Sequence, residues 1–163
     1  AAMQNTHDYD AMSEIMWAGS LSHNGLTGLG GTGDFAPHQL GHELSGMFDI
    51  AHGASLAVMW GHWAKYVCHT KLSRFVRYAE NVWHITEGGD EEKALAGIQA
   101  TVDYFKSIGM PTCFSEAPEI GLQSEDVLKD LAWRCTFEGA RTIGGFQVLD
   151  GADILKIYES ANV

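Results

Sequence analysis

Residues 34–60 read DFAPHQLGHELSGMFDIAHGASLAVMW, and this stretch decides the fold. Apolar residues recur at helical spacing on both sides of a break, Leu40, Leu44 and Met47 before it and Ala54, Leu56, Ala57, Met59 and Trp60 after it. Pro37 suits a first helical turn, where its missing N–H costs little, and Asp34 is predicted to cap that turn. The first helix is predicted to stop between Phe48 and Ala51. His52-Gly53 then opens a second helix that runs to about Cys68.

Three histidines stand on this hairpin, His38, His42 and His52, spaced H-x3-H-x9-H. Residues four apart on a helix have Cβ atoms about 6 Å apart on one face, so His38 and His42 reach the same pocket. His52 can point at that place once the chain has turned back. Neutral imidazole binds Zn, Fe and Cu at roughly 2.0–2.1 Å, which makes the trio a candidate metal site. Against it, histidines at this spacing also occur on surface helices that bind nothing. Asp34-x3-His38 offers a carboxylate as a fourth ligand, although an Asp just before a helix is more commonly its cap. His42-Glu43 begins like H-E-x-x-H, but Gly46 stands where the second His belongs, so a zinc-protease motif fails.

Working outward, helical periodicity continues. Asp8 to His23 is predicted as a helix capped by Asp8 or Asp10, followed by a loop over residues 24–33 that holds five glycines. Those glycines follow no strand, so they carry no dinucleotide fingerprint. Leu72 to Trp83 is the next helix after residue 68. Asp90 is predicted to cap another over Glu91–Ile108, and Gly109-Met110-Pro111 stops it. A helix from Ser124 to about Phe137 and a short one over Ala152–Ser160 complete the chain. Only Phe146 to Leu149 hints at strand-like alternation. The expectation is an all-α fold of about six or seven helices, a single domain over residues 1–163, with most tryptophans in its core. His62 is a candidate for the layer behind the trio; His7, His23, His69 and His84 share no spacing.

Composition narrows the function classes. The 163 residues include 45% hydrophobic ones, ample for a core, and ten Lys+Arg against 21 Asp+Glu give a net charge of −11. That balance speaks against nucleic acid and anionic lipid as partners, since both require basic surface. No apolar run is long enough to span a bilayer. Cys68, Cys113 and Cys135 lack C-x-x-C spacing and read as reduced thiols, pointing to a cytoplasmic protein.

The stretch from His38 to Ala57 resembles the metal-binding segment of the iron-containing (group III) alcohol dehydrogenases, closest to their butanol dehydrogenase and aldehyde reductase branch. Flanking segments agree: Asp8 to Ala18, Asn24-Gly25-Leu26, Tyr78 to Trp83 with Ile85 to Gly88, Ile108 to Thr112, and Leu149 to Ala161. The resemblance implies the helical C-terminal domain of a dehydroquinate synthase-like fold, in a two-domain enzyme whose other domain binds NAD or NADP. In such enzymes one Asp and three His hold Fe(II) or Zn(II). By motif position His38 and His52 match two of those ligands, and His42 matches an unligated histidine beside the substrate, a candidate proton relay. The other two ligands form an Asp-x3-His pair upstream of residue 8 that this chain does not contain. The resemblance therefore implies an excised domain of an alcohol or aldehyde oxidoreductase, inactive by itself. Its apolar surface, no longer covered, favours a homo-oligomer. Two alternatives stand beside this reading: a small metallohydrolase whose three histidines converge on zinc, and a non-catalytic helical binding domain whose histidines diverge.

Overall fold

The computed structural model describes every residue except Thr32. Among the described residues there are seven α-helices and three short 3-10 turns, with no strand beyond one isolated bridge between Ile143 and Leu149. The all-α expectation holds, and the alternation at Phe146–Leu149 amounts to that bridge. Two compact units make up the chain, residues 1–33 and 34–163.

The first unit carries α1 (Tyr9–His23), started by Asp8, whose carboxylate accepts the Ala11 N–H at 3.0 Å. None of its residues is buried; Trp17 is 63% exposed and Met16 70%. A 3-10 turn at Leu26–Gly28 follows, entered through Gly25 at φ 87°.

The second unit holds α2 (Ala36–Phe48), α3 (His52–Val67), α4 (Leu72–Trp83), α5 (Asp90–Ser107), α6 (Glu125–Cys135) and α7 (Gly151–Ala161). Helix α3 is the hub: it packs on α2, α5 and α7, while α4 lies along α5 and α6 along α7. Leu40 and Leu44 of α2, Val58, Met59 and Val67 of α3, Ile98 of α5, Leu131 of α6 and Ile154, Ile157 and Tyr158 of α7 are fully buried in one cluster. Burying apolar area of this kind contributes about 1.5–3 kcal/mol per large side chain. Tyr158 also donates its hydroxyl to the Leu40 carbonyl at 2.9 Å, tying α7 to α2.

Two caps differ from expectation. Phe35, not Asp34, is the residue at which α2 begins; Asp34 reaches past it to the Ala36 N–H at 2.8 Å. Its other oxygen accepts the N–H of Phe146, 2.7 Å away, and that distant partner sets its position. Gly89 rather than Asp90 caps α5, its N–H held by Glu92 at 2.8 Å. Asp90 instead becomes the first helical residue and pairs with Lys93. The tryptophans also divide more evenly than expected: Trp63 is buried, Trp60 and Trp83 are half-buried, and Trp17 and Trp133 are exposed. The described part of the chain has no helix long and apolar enough to cross a membrane.

Candidate metal centre

The corner between α2 and α3 builds the site. Helix α2 ends at Asp49, which adopts the left-handed conformation at φ 56° and ψ 25° and donates its N–H to the Ser45 carbonyl at 3.0 Å. Asp is among the few non-glycine residues that enter this region readily. Ile50 is buried and anchors the turn, Ala51 is extended, and His52 is the first residue of α3. The reversal puts His52 back against the first turn of α2, where His38 lies.

The α2/α3 crossing is unusually close. A Cβ at Gly41 would stand 2.8 Å from Ser55 Oγ, so only glycine lets the two helices approach this far. Ser55 is buried; its hydroxyl donates to the His52 carbonyl at 2.9 Å and accepts from Ser45 Oγ at 3.2 Å. These two hydroxyls fasten the start of α3 to α2.

All three predicted histidines meet here. One ring nitrogen from each lies within 4.8 Å of the others. Nδ1 of His38 and Nε2 of His52 are 3.1 Å apart. Two bonds of about 2.05 Å to one cation subtend that separation at an angle of roughly 100°, close to tetrahedral or octahedral values. This pair therefore fits a shared divalent ion. The His42 ring sits differently, stacked on His52 with centroids 4.8 Å apart and planes at 29°, and 6.3 Å from His38. His42 and His52 are exposed, His38 half-buried.

Other expectations resolve differently. Both Asp34 carboxylate oxygens accept backbone N–H groups, which assigns it to structure rather than to the imidazoles. His62 lies outside the cluster: its ring nitrogens contact Ser160 Oγ at 3.0 Å and the Thr112 carbonyl at 3.1 Å, and burial lowers its pKa. Glu43 is half-buried, and burial raises its pKa. It borders a separate groove of about 560 Å³ with Asp130 and Arg134. Sequence reasoning missed Phe35, an exposed ring 5.5 Å from that of His38, and the Gly41–Ser55 contact. A glycine in mid-helix between two histidines was the available signal for the latter.

Comparison with known proteins decides the family. The description "Fe-containing alcohol dehydrogenase family, C-terminal" matches residues 1–162. The chain belongs to the iron-containing alcohol dehydrogenase family. Among relatives of this family, the NADH-dependent butanol dehydrogenase A of Clostridium acetobutylicum is 36% identical over 162 residues, 98% of this chain and 41% of that protein. The NADPH-dependent aldehyde reductase YqhD of Escherichia coli is 38% identical over 130 residues, 80% of this chain and 34% of its own length. The crystal structure of NADH-dependent butanol dehydrogenase A from Thermotoga maritima superposes with a TM-score of 0.89 at 28% identity, over 99% of this chain and 42% of that one. The chain thus spans about two fifths of the length of these iron-containing alcohol dehydrogenase relatives.

Proposed function

We propose that this chain is the metal-binding portion of an oxidoreductase that interconverts alcohols and aldehydes with NAD or NADP. In this reading His38 Nδ1 and His52 Nε2 supply two ligands to Fe(II) or Zn(II). The observation that carries it is the 3.1 Å approach of those two nitrogens across a helix–corner–helix turn. When bound, such an ion acts as a Lewis acid toward the alcohol or aldehyde oxygen. Hydride transfer belongs to the nicotinamide, which the relatives' names support.

The chain's own residues have three tasks. His38 and His52 place two ring nitrogens at a separation of 3.1 Å from two helix starts, so binding requires the proton shared between them to move to another ring nitrogen but no rearrangement of the backbone. His42 stands one turn along α2 from His38, exposed and stacked on His52. It accepts or returns the proton of a hydroxyl beside the ion, as a positioned general acid–base side chain does. Phe35 sets its ring beside that of His38, centroids 5.5 Å apart.

Two imidazoles leave the rest of a coordination shell to water, so the isolated chain is expected to bind metal weakly and to turn nothing over. Titrating it with Co²⁺ and Zn²⁺ tests the assignment by visible absorption and calorimetry. His38→Ala and His52→Ala are each expected to abolish the weak binding, and His42→Ala to leave it within about threefold. Equal losses at all three positions would favour a three-histidine zinc site instead, a reading that draws on their common cluster. Steady NADPH oxidation with butanal by this chain and metal alone would overturn the proposal.

A further inference from the structure

Helices α3, α4 and α5 set five aromatic rings around an open groove that none of the three histidines borders. The Trp60 ring is 5.9 Å from Tyr78 and 6.2 Å from Phe105, centroid to centroid. Tyr104 is 6.3 Å from Phe105 and 6.2 Å from Trp83. The circuit closes through buried Thr101. Its Oγ1 donates to the Gly97 carbonyl at 3.0 Å and accepts from both Tyr78 Oη at 2.6 Å and Trp83 Nε1 at 3.0 Å. Neighbouring rings are tilted by 51° to 85°, so they wall a space instead of stacking shut. The space is about 520 Å³, with Val82 at its border.

We propose that this groove binds a small organic cation, a quaternary or fully methylated ammonium group, against the ring faces. Three observations lead there. The polar tips of Tyr78 and Trp83 are already spent on Thr101, so what these residues offer a ligand is π surface. Four neighbouring ring pairs lie 5.9 to 6.3 Å apart around the groove, and a cation is drawn to an aromatic face within about 6 Å of its centroid. The net charge of −11 adds a long-range field that favours a cation and disfavours an anion. A methylated ammonium needs no hydrogen-bond acceptor, which matches the engagement of Tyr78 Oη and Trp83 Nε1 with Thr101.

The test separates charge from shape. The 163-residue chain, labelled with ¹⁵N, is titrated at constant ionic strength with choline and, separately, with its uncharged carbon isostere 3,3-dimethylbutan-1-ol. Choline is expected to move the Trp60 and Trp83 indole N–H signals saturably, with the neutral isostere binding roughly tenfold more weakly. Tyr104 is 51% exposed, so substitution there spares the core. Tyr104→Phe is expected to keep choline binding and Tyr104→Leu to weaken it several-fold, with unchanged circular dichroism. Equal affinity for the two probes would reduce the groove to an apolar patch and overturn the proposal. So would indole shifts that follow protein concentration instead of choline, which would make the groove a contact between two copies.

Discussion

Gly41→Ala probes the contact that brings together the two helices carrying the candidate ligands. The added Cβ would stand 2.8 Å from Ser55 Oγ and 3.4 Å from Leu56 Cδ2, so the serine contact is about 0.6 Å too short. Ser55 cannot simply rotate away, because its hydroxyl is bonded to the His52 carbonyl and to Ser45. Either those bonds are lost, at about 1 kcal/mol, or the helices separate, at about 1–3 kcal/mol for overpacking. Alanine's better helix propensity returns about 0.5–1 kcal/mol. The net expectation is a destabilisation of up to about 2 kcal/mol, or up to roughly 8 °C in Tm for a chain of this size. Thermal and urea unfolding followed by circular dichroism at 222 nm would measure it. A double-mutant cycle with Ser55→Ala isolates the cause. In the Ser55→Ala background the same Gly41→Ala change is expected to be neutral or stabilising, because the colliding oxygen is gone. A higher Tm for Gly41→Ala alone, or an equal loss in both backgrounds, would refute the claim that this contact sets the α2/α3 distance.

Two further perturbations follow from buried polar groups. The pKa of His62 is lowered, first by burial, against the opposing pull of the Thr112 carbonyl. The unfolded chain therefore takes up its proton first: stability is full above about pH 6.5 and declines as pH falls through that value toward the lower folded one. His62→Gln is expected to flatten this limb of urea midpoints measured between pH 7.5 and pH 5; an unchanged slope would place the proton uptake elsewhere. Tyr158→Phe deletes the buried bond to the Leu40 carbonyl and is expected to cost about 1 kcal/mol, since that carbonyl keeps its intrahelical partner. No measurable loss of Tm would show that the bond does not help hold α7 to α2.

Local signals made most of the helices legible. Leu72–Trp83 was readable to the residue from its apolar spacing and the glycine turn beyond it, and His52 marked the start of α3 because the pattern breaks just before it. The imidazole cluster was legible for the same reason: its members lie within one helix–corner–helix segment, and their spacing fixes their faces. What the sequence hid depends on distant partners. Asp34 missed the cap position because the Phe146 N–H, 112 residues away, holds its second oxygen. Trp133 follows the buried Leu131 and Ala132 directly in sequence yet is 53% exposed on α6, a difference of one position that spacing alone separates poorly. Nothing in the local sequence points to Ser55, whose role depends on the closeness of Gly41 across the helix pair.

Three backbone features fix the separation of the two candidate ligands, and none of them is an imidazole. Asp49 turns the chain left-handed at the end of α2. Ile50 buries the corner. The Gly41–Ser55 contact sets how deeply α3 seats against α2. Because His38 and His52 each lie in a first helical turn, their Cα positions follow these anchors rigidly. A cation binding between them thus meets donors whose ordering was accomplished when the core formed, and its affinity reflects ligand number more than reorganisation. The two failures are therefore separable. Replacing either histidine should remove binding without unfolding the chain, whereas disturbing Gly41 should cost stability first and binding as a consequence.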